Sequence, residues 1–290
     1  MRRLIVNADD FGLTAGVNRA IIEGSRAGIV TSATIMANAS AYEEAATLAK
    51  ATANLHSGCH VVLIDGQPIT SDAGSLINGS NRFRSSLKEF ARAAVSNKLS
   101  SPEIQKETEA QIHRIQSAGI TVTHVDSHKH THMFPQVLRP LLRAAKALGV
   151  YAVRNPFEPL RAWPLAGTLG APGMWLRCAG VMSFQLFAPE FHKAVREEAM
   201  YTTDGTVGIA ATGMLNQKTL SAILTALPEG TWELVCHPGY FDDDLRAAGT
   251  RLLKSREIEL EALTSAETKS LLKRQNIQLM SYAELVVARA

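Results

Sequence analysis

Short runs of β-branched and other apolar residues alternate with stretches whose apolar positions recur every three or four residues, almost from one end of the chain to the other. This alternation predicts βα units around a parallel sheet. Leu4 to Ala8 reads as a strand and Ala15 to Arg26 as a helix, followed by strand Ile29 to Ala37, helix Tyr42 to Thr52 and strand Gly58 to Ile64. Residues 65 to 85 are polar and glycine-rich, which predicts a loop. Helix Leu87 to Val95 precedes a second helix opened by Ser101-Pro102-Glu103, a cap residue with proline in the first turn, which ends near Gly119. Next come strand Thr121 to Asp126, helix Gln136 to Leu148 with Pro140 in its first turns, and strand Tyr151 to Arg154. Residues 156 to 200 carry five prolines and little periodicity, which predicts an inserted, lid-like region outside the core. Alternation resumes with strand Val207 to Ala211, helix Lys218 to Leu227, strand Trp232 to Cys236, helical stretches from Arg256 to Arg274, strand Ile277 to Met280 and a closing helix. With seven or eight such units and no internal repeat or linker, the chain reads as one α/β domain over 1–290, a complete or slightly distorted (β/α) barrel.

Composition narrows the partners. Apolar residues are 46% and charged residues 20% of 290, enough for a core without disulfides or a structural metal. The 30 basic and 27 acidic residues are dispersed, with a pI near 8.8, and form no basic run of the kind nucleic-acid binders show. Cys59, Cys178 and Cys236 are an odd number without a C-x-x-C pair, which fits a reducing cytoplasm. Behind Met1-Arg2-Arg3 only Leu4-Ile5-Val6 is apolar, too short for a signal peptide. The stretch Trp163 to Phe191 is broken by Arg177, glycines and prolines, so no transmembrane segment is predicted.

The candidate chemistry lies where the strands end. Asp9 and Asp10 follow the first strand, His60 lies in the third, His128, His130 and His132 follow the strand ending near Asp126, and His237 follows Cys236. In a (β/α) barrel these strand ends gather on one face. Imidazole nitrogen plus carboxylate oxygen suits a divalent cation, and a catalytic site commonly uses three protein ligands. One Asp and two His meet that need. His128 and His132 share a side if their segment is either helical or extended. Asp9-Asp10 could equally be a helix cap, since Asp between a strand and a helix commonly satisfies free N–H groups. Cys236 reads as a small buried hydrophobe, and His56, His113 and His192 are set aside as surface or core-edge residues.

Five stretches then carry a resemblance: Asn7-Ala8-Asp9-Asp10-Phe11-Gly12, Gly28-Ile29-Val30-Thr31-Ser32, Gly58-Cys59-His60, His124-Val125-Asp126-Ser127-His128 with His130 and His132, and Cys236-His237-Pro238-Gly239. In order and spacing the chain resembles the ChbG/HpnK carbohydrate deacetylases, the YdjC-like proteins. The resemblance implies a (β/α) barrel variant that removes acetyl groups from N-acetylated sugars with a divalent cation, Mg²⁺ first, with Zn²⁺, Mn²⁺ or Co²⁺ as alternatives. It implies metal binding by Asp10, His60 and His128, with Asp9 as general base and His237 as the candidate acid. Lys129 stands where the family often has another His, so that position is not expected to supply an essential ligand.

His132 would assist or bind substrate, and Arg154 would contact substrate or pair with an acidic neighbour. Gly79 to Arg84 and His128-Lys129-His130 look like the subset associated with hopanoid biosynthesis, which implies a glycolipid-linked substrate beside soluble sugars. Trp163, Met174, Trp175, Phe184 and Phe187 would then cover a lipid, or else form a packed lid or the interface of a homo-oligomer such as a dimer. An Asp/His/His site alone also suits a phosphoester hydrolase or a non-catalytic, metal-dependent sugar-binding protein.

Overall fold

From Leu4 to Phe11 the first strand is buried on both faces, as expected of the central strand of a parallel sheet covered by helices. The computed structural model describes residues 1–159, 180–182 and 184–289. Strand β1 (Arg2–Phe11) pairs in parallel with β2 (Ser32–Ile35), and β2 with β3 (His56–Val61), which pairs with β4 (Val125–Ser127). On its other side β1 pairs with β6 (Gly230–Cys236), which pairs with β5 (Gly205–Val207). β7 (Ile277–Met280) joins the first half of β1 alone, alongside Arg2 to Ile5. The order β4-β3-β2-β1-β6-β5 curls, and its edges meet through single bridges, Val125 with Val153 and Ala152 with Tyr201. The result is a distorted (β/α) barrel, regular on one side and irregularly closed on the other.

Several predicted elements shift, each for a local reason. The strand expected over Val207 to Ala211 ends at Val207, because the buried Glu158 carboxylate accepts the N–H groups of Gly208 (2.7 Å) and Ala210 (2.9 Å). Tyr151 to Arg154 contributes bridges at Ala152 and Val153 rather than a full strand. The helical stretch over Arg256 to Arg274 divides into Ser255–Thr264 and Ala266–Arg274, where Ser265 is extended and its side chain caps the second helix at Thr268 N–H.

The region expected to be a lid is in part a core element. Pro189 sits in the first turn of helix Ala188–Glu197, where a missing N–H costs nothing, and Phe191 of that helix is fully buried against Phe157 at 5.5 Å. Arg139 pins the same helix through Glu190 (2.7 Å) and Glu197 (2.8 Å). Phe187 packs edge-on against Phe134 at 5.6 Å. Trp163, Met174, Trp175 and Cys178 lie outside the described residues.

The 65–85 loop is ordered by helix Ser101–Ser117. Glu107 on that helix is fully buried and accepts the N–H groups of Ile69 and Thr70, both at 2.9 Å, and the Thr70 hydroxyl at 2.7 Å. One turn earlier Glu103 accepts from Ser75 N–H and Oγ at 2.7 Å. Glu107→Ala would leave two loop N–H groups without acceptors, a loss of roughly 2 kcal/mol. Hydrogen exchange should then show the Ile69 and Thr70 amides losing protection before the strands do, and unchanged protection would dispose of the clamp.

Candidate metal centre

The carboxylates of Asp9 and Asp10 reach one cluster because β1 is irregular there. Side chains of adjacent strand residues normally point to opposite faces. Between Ala8 and Phe11 the register with β2 shifts, and Asp10 takes a left-handed backbone, φ 65°. A bulge of this kind re-aims a side chain. The capping alternative for the pair does not apply, since Thr14 caps helix Ala15–Arg26 by accepting from Val17 N–H at 3.2 Å.

Asp10 Oδ1 lies 3.3 Å from His128 Nδ1 and 3.6 Å from His60 Nε2, and the two imidazole nitrogens are 3.3 Å apart. Two ligands about 2.1 Å from a common cation sit roughly 3.4 Å apart in a tetrahedral arrangement and roughly 3.0 Å apart in an octahedral one. These three atoms therefore have the spacing and the donor chemistry of a site for a divalent cation. Each imidazole is backed by a carboxylate. Asp126 Oδ1 is 2.7 Å from His60 Nδ1, and a carboxylate only accepts, so Nδ1 carries the proton and the Nε2 lone pair faces the cluster. Asp65 Oδ2, also held by Lys129 Nζ at 2.5 Å, is 3.5 Å from His128 Nε2. Gly58 within β3 leaves room for the His124 ring, for a Cβ there would stand 2.5 Å from it. His124 itself stacks on Tyr282 at 3.8 Å.

Asp9 belongs to a second, adjoining cluster. Arg154 grips it with two bonds, Nη1 to Oδ2 at 2.8 Å and Nη2 to Oδ1 at 2.6 Å. Arg154 Nε and Nη2 also donate to Glu233 (2.8 and 2.6 Å), and Nη1 forms an ion pair with Asp126 at 2.6 Å, so three buried carboxylates surround the guanidinium. Of the two alternatives for Arg154, pairing with acidic neighbours is the one observed. The expected substrate role of His132 also gives way. It is fully buried, with Nδ1 at 2.6 Å from Ser127 Oγ and Nε2 at 3.2 Å from the Arg154 carbonyl. His128 and His132 diverge because Lys129 and His130 both adopt left-handed backbones, neither helical nor extended. His237 Nε2 lies 3.9 Å from Asp9 Oδ2, and its Nδ1 faces Glu259 Oε2 at 3.9 Å.

Arg256 and Glu259, like Asp65 and Glu233, carried no signal in the sequence. Arg256 donates to Asp10 Oδ2 at 2.6 Å and Glu259 accepts the His237 N–H at 2.7 Å, both from the first turns of helix Ser255–Thr264. They lie in a charged helical segment without a motif and reach the centre only through the fold.

Charges follow from this packing. Burial alone would raise the pKa of Asp9, but the charge and hydrogen bonds of Arg154, with His60 and His237, hold it far below the usual carboxylate range. Asp10 is lowered similarly by Arg256 and His128 against its burial. Burial pushes His237 down to about 4 despite Asp9 and Asp10, and His132 to about 3, with Arg154 adding to it. His124 and His130 are also driven down by burial and Arg154. A histidine with a depressed pKa binds a proton in the unfolded chain before it does in the fold, so stability is lost as pH falls from about 6.5 through the folded value. Burial raises Glu259 to about 7 and also raises Glu233, while against their burial Asp126 and Asp9 raise His60, and Asp10 and Asp65 lift His128 to about 9; these four act with the opposite sign and offset the four lowered histidines.

A family model described as YdjC-like protein matches residues 3–274. The chain belongs to the YdjC-like family. Among its relatives, a carbohydrate deacetylase of Brevibacillus brevis is 34% identical, covering 98% of this chain and 99% of that one. A carbohydrate deacetylase of Geobacillus stearothermophilus is 32% identical, covering 98% of each. The fold is similar to the crystal structure of an Enterococcus faecalis protein named for cellobiose-phosphate cleavage, with a TM-score of 0.79 at 24% identity and 98% of both chains covered. The distorted barrel is therefore shared by this YdjC-like chain and a solved structure over nearly their whole lengths. Among the described residues of the YdjC-like chain, no helix is long and apolar enough to cross a membrane.

Proposed function

We propose that this chain is a carbohydrate deacetylase that uses a divalent cation to remove the N-acetyl group of an amino sugar. The observation that carries this reading is the Asp10–His60–His128 triangle, with atoms 3.3–3.6 Å apart and the His60 lone pair turned into it. The names of the full-length relatives support the deacetylation of a carbohydrate.

Asp10, His60 and His128 would hold the cation, which when bound lowers the pKa of a water and polarises the amide carbonyl. Asp9 would accept the proton of the attacking water; Arg154 fixes both its oxygens and, by holding it ionised, makes it a weak base that must pass that proton on at once. His237, neutral at rest, is near enough to Asp9 to take up that proton and deliver it to the departing amine nitrogen. Glu259 accepts the His237 backbone N–H at 2.7 Å, which fixes the residue's place beside Asp9.

Phosphoester hydrolysis is less well served. It commonly draws on a second cation or an arginine clamp on the phosphoryl oxygens. Here the carboxylates of Asp9 and Asp126, which with His60 form the other candidate cation cluster, are engaged by the Arg154 guanidinium. Arg154 and Arg256 are both fully buried against carboxylates. A sugar-binding protein without turnover would need neither Asp9 nor His237 beside the triangle. A soluble or lipid-linked amino sugar both suit the chemistry, and the packing of Phe187 on Phe134 favours a packed cover over a lipid-lined one.

The test is acetate release from N-acetylated sugars and from a glycolipid bearing N-acetylglucosamine, before and after chelation and with Mg²⁺, Mn²⁺, Zn²⁺ or Co²⁺ restored. Chelator-sensitive release is expected, with His60→Ala losing both cation binding and turnover. Release that survives complete chelation would refute the cation-dependent mechanism.

A further inference from the structure

We infer that Arg256 is a positioning residue for the cation site, holding Asp10 so that a single carboxylate oxygen faces the two imidazoles; this rests on the reading of Asp10, His60 and His128 as ligands. Asp10 divides its two oxygens. Oδ1 faces His128 Nδ1 and His60 Nε2, while Oδ2 accepts from Arg256 Nη2 at 2.6 Å. With Oδ2 engaged, rotation of the carboxylate to present both oxygens would break a charge-assisted hydrogen bond in a water-excluded setting.

The guanidinium is itself held. Its Nε donates to the Leu252 carbonyl at 3.0 Å, and its aliphatic stem lies against Gly239, where an added Cβ would come within 2.8 Å of Arg256 Cδ. Gly239 N–H in turn donates to the Arg256 carbonyl at 3.3 Å. The segment after His237 is thus packed directly on the arginine that orients Asp10, and the acid side and the ligand side of the centre are tied together.

Stability does not account for this arginine. It is fully buried, and its Nη1 has no hydrogen-bond partner among the described residues. A buried charge with an unpaired donor is costly, and a buried ion pair commonly gains no more than apolar side chains of the same volume would. What the arrangement secures is orientation. The bulge at Asp10 aims its side chain at the centre, and Arg256 then fixes which of its two oxygens faces the imidazoles.

The test uses the full-length protein stripped of cations, titrated with Zn²⁺ and with Co²⁺, the latter followed by its visible spectrum, for the wild type, Arg256→Met and Arg256→Lys. Arg256→Met should bind either ion about 10–100-fold more weakly, the usual effect of losing a partner behind a ligand. Its Co²⁺ spectrum should change as the carboxylate turns. Arg256→Lys, which keeps the charge but not the two-point hold, should fall between the two. An Arg256→Met protein with the affinity and spectrum of the wild type would overturn the inference while leaving the cation site intact. If that variant does not fold, Arg256→Lys decides, with binding equal to wild type counting against the inference and weaker binding supporting it. A wild type that binds no cation would remove the site reading and this inference together.

Discussion

Arg154→Met is expected to lower the melting temperature by roughly 5–10 °C, the largest stability effect of any single change in the site. The guanidinium is the shared counter-charge of Asp9, Asp126 and Glu233, all buried. Removing one partner of a buried ion pair costs about 3–5 kcal/mol, because the remaining charge is left without compensation. In a domain of this size each kcal/mol moves the melting temperature by about 2 °C or slightly less. The pH dependence gives the sign of the effect. With its pKa held below the unfolded value of 3.8, Asp9 contributes stability that is present above that value and is lost as pH falls through the folded pKa. Without Arg154 that contribution disappears at neutral pH, so the gap between variant and wild type should narrow on acidification below about pH 4. Melting curves from pH 8 to pH 3.5 measure it. A gap under about 1 kcal/mol at pH 7 would mean that the three carboxylates find other partners.

Asp9→Asn should reduce kcat by about 10²–10⁴ while cation affinity stays within about twofold of wild type. Loss of a positioned general base has effects of that size. Asparagine keeps the shape and one acceptor for Arg154 but sets its amide N–H₂ against the other donor, so some stability is lost along with the proton acceptor. Asp9 stands outside the Asp10–His60–His128 triangle, and its oxygens are turned to Arg154 and Asn7. Calorimetric titration with Zn²⁺ alongside acetate release separates the outcomes. A kcat within tenfold of wild type would place the base elsewhere. A matching fall in cation affinity would move Asp9 into the ligand set with His60 and Asp126, the adjoining candidate cluster.

Much of this architecture is legible in residue order, and the reason is local. Helix Ala15–Arg26 follows from apolar periodicity, and helix Ser101–Ser117 from periodicity with Pro102 in its first turn, although the cap expected at Ser101 falls on Ser100. The buried run of β1 identifies a central parallel strand for the same reason. Asp and His at strand ends point to one face of a barrel because parallel strands must align their ends. Helix Ala188–Glu197 was less legible: proline in a first turn is compatible with a helix, yet a cluster of prolines nearby reads as irregular chain.

Long-range contacts decided the rest. Asp9 and Asp10 are adjacent letters that a regular strand would send to opposite faces, and only the shifted register against β2 brings both into one cluster. His128 and His132 were expected to act side by side. Two left-handed residues between them instead leave His128 at the centre and bury His132 beneath it. Arg154, Arg256 and Glu259 are the clearest cases, since an isolated charge in a sequence has no visible partner. Arg154 meets Asp9 across 145 positions and Arg256 meets Asp10 across 246. Residue types and local spacing thus determine which strands and helices form and which candidate ligands stand at their ends. Which carboxylate faces the two imidazoles, which is neutralised by an arginine and which histidine stays uncharged depend on burial and on partners distant in the chain. Those are properties of the closed barrel, because a charge acquires its pKa and its direction only where water has been excluded around it.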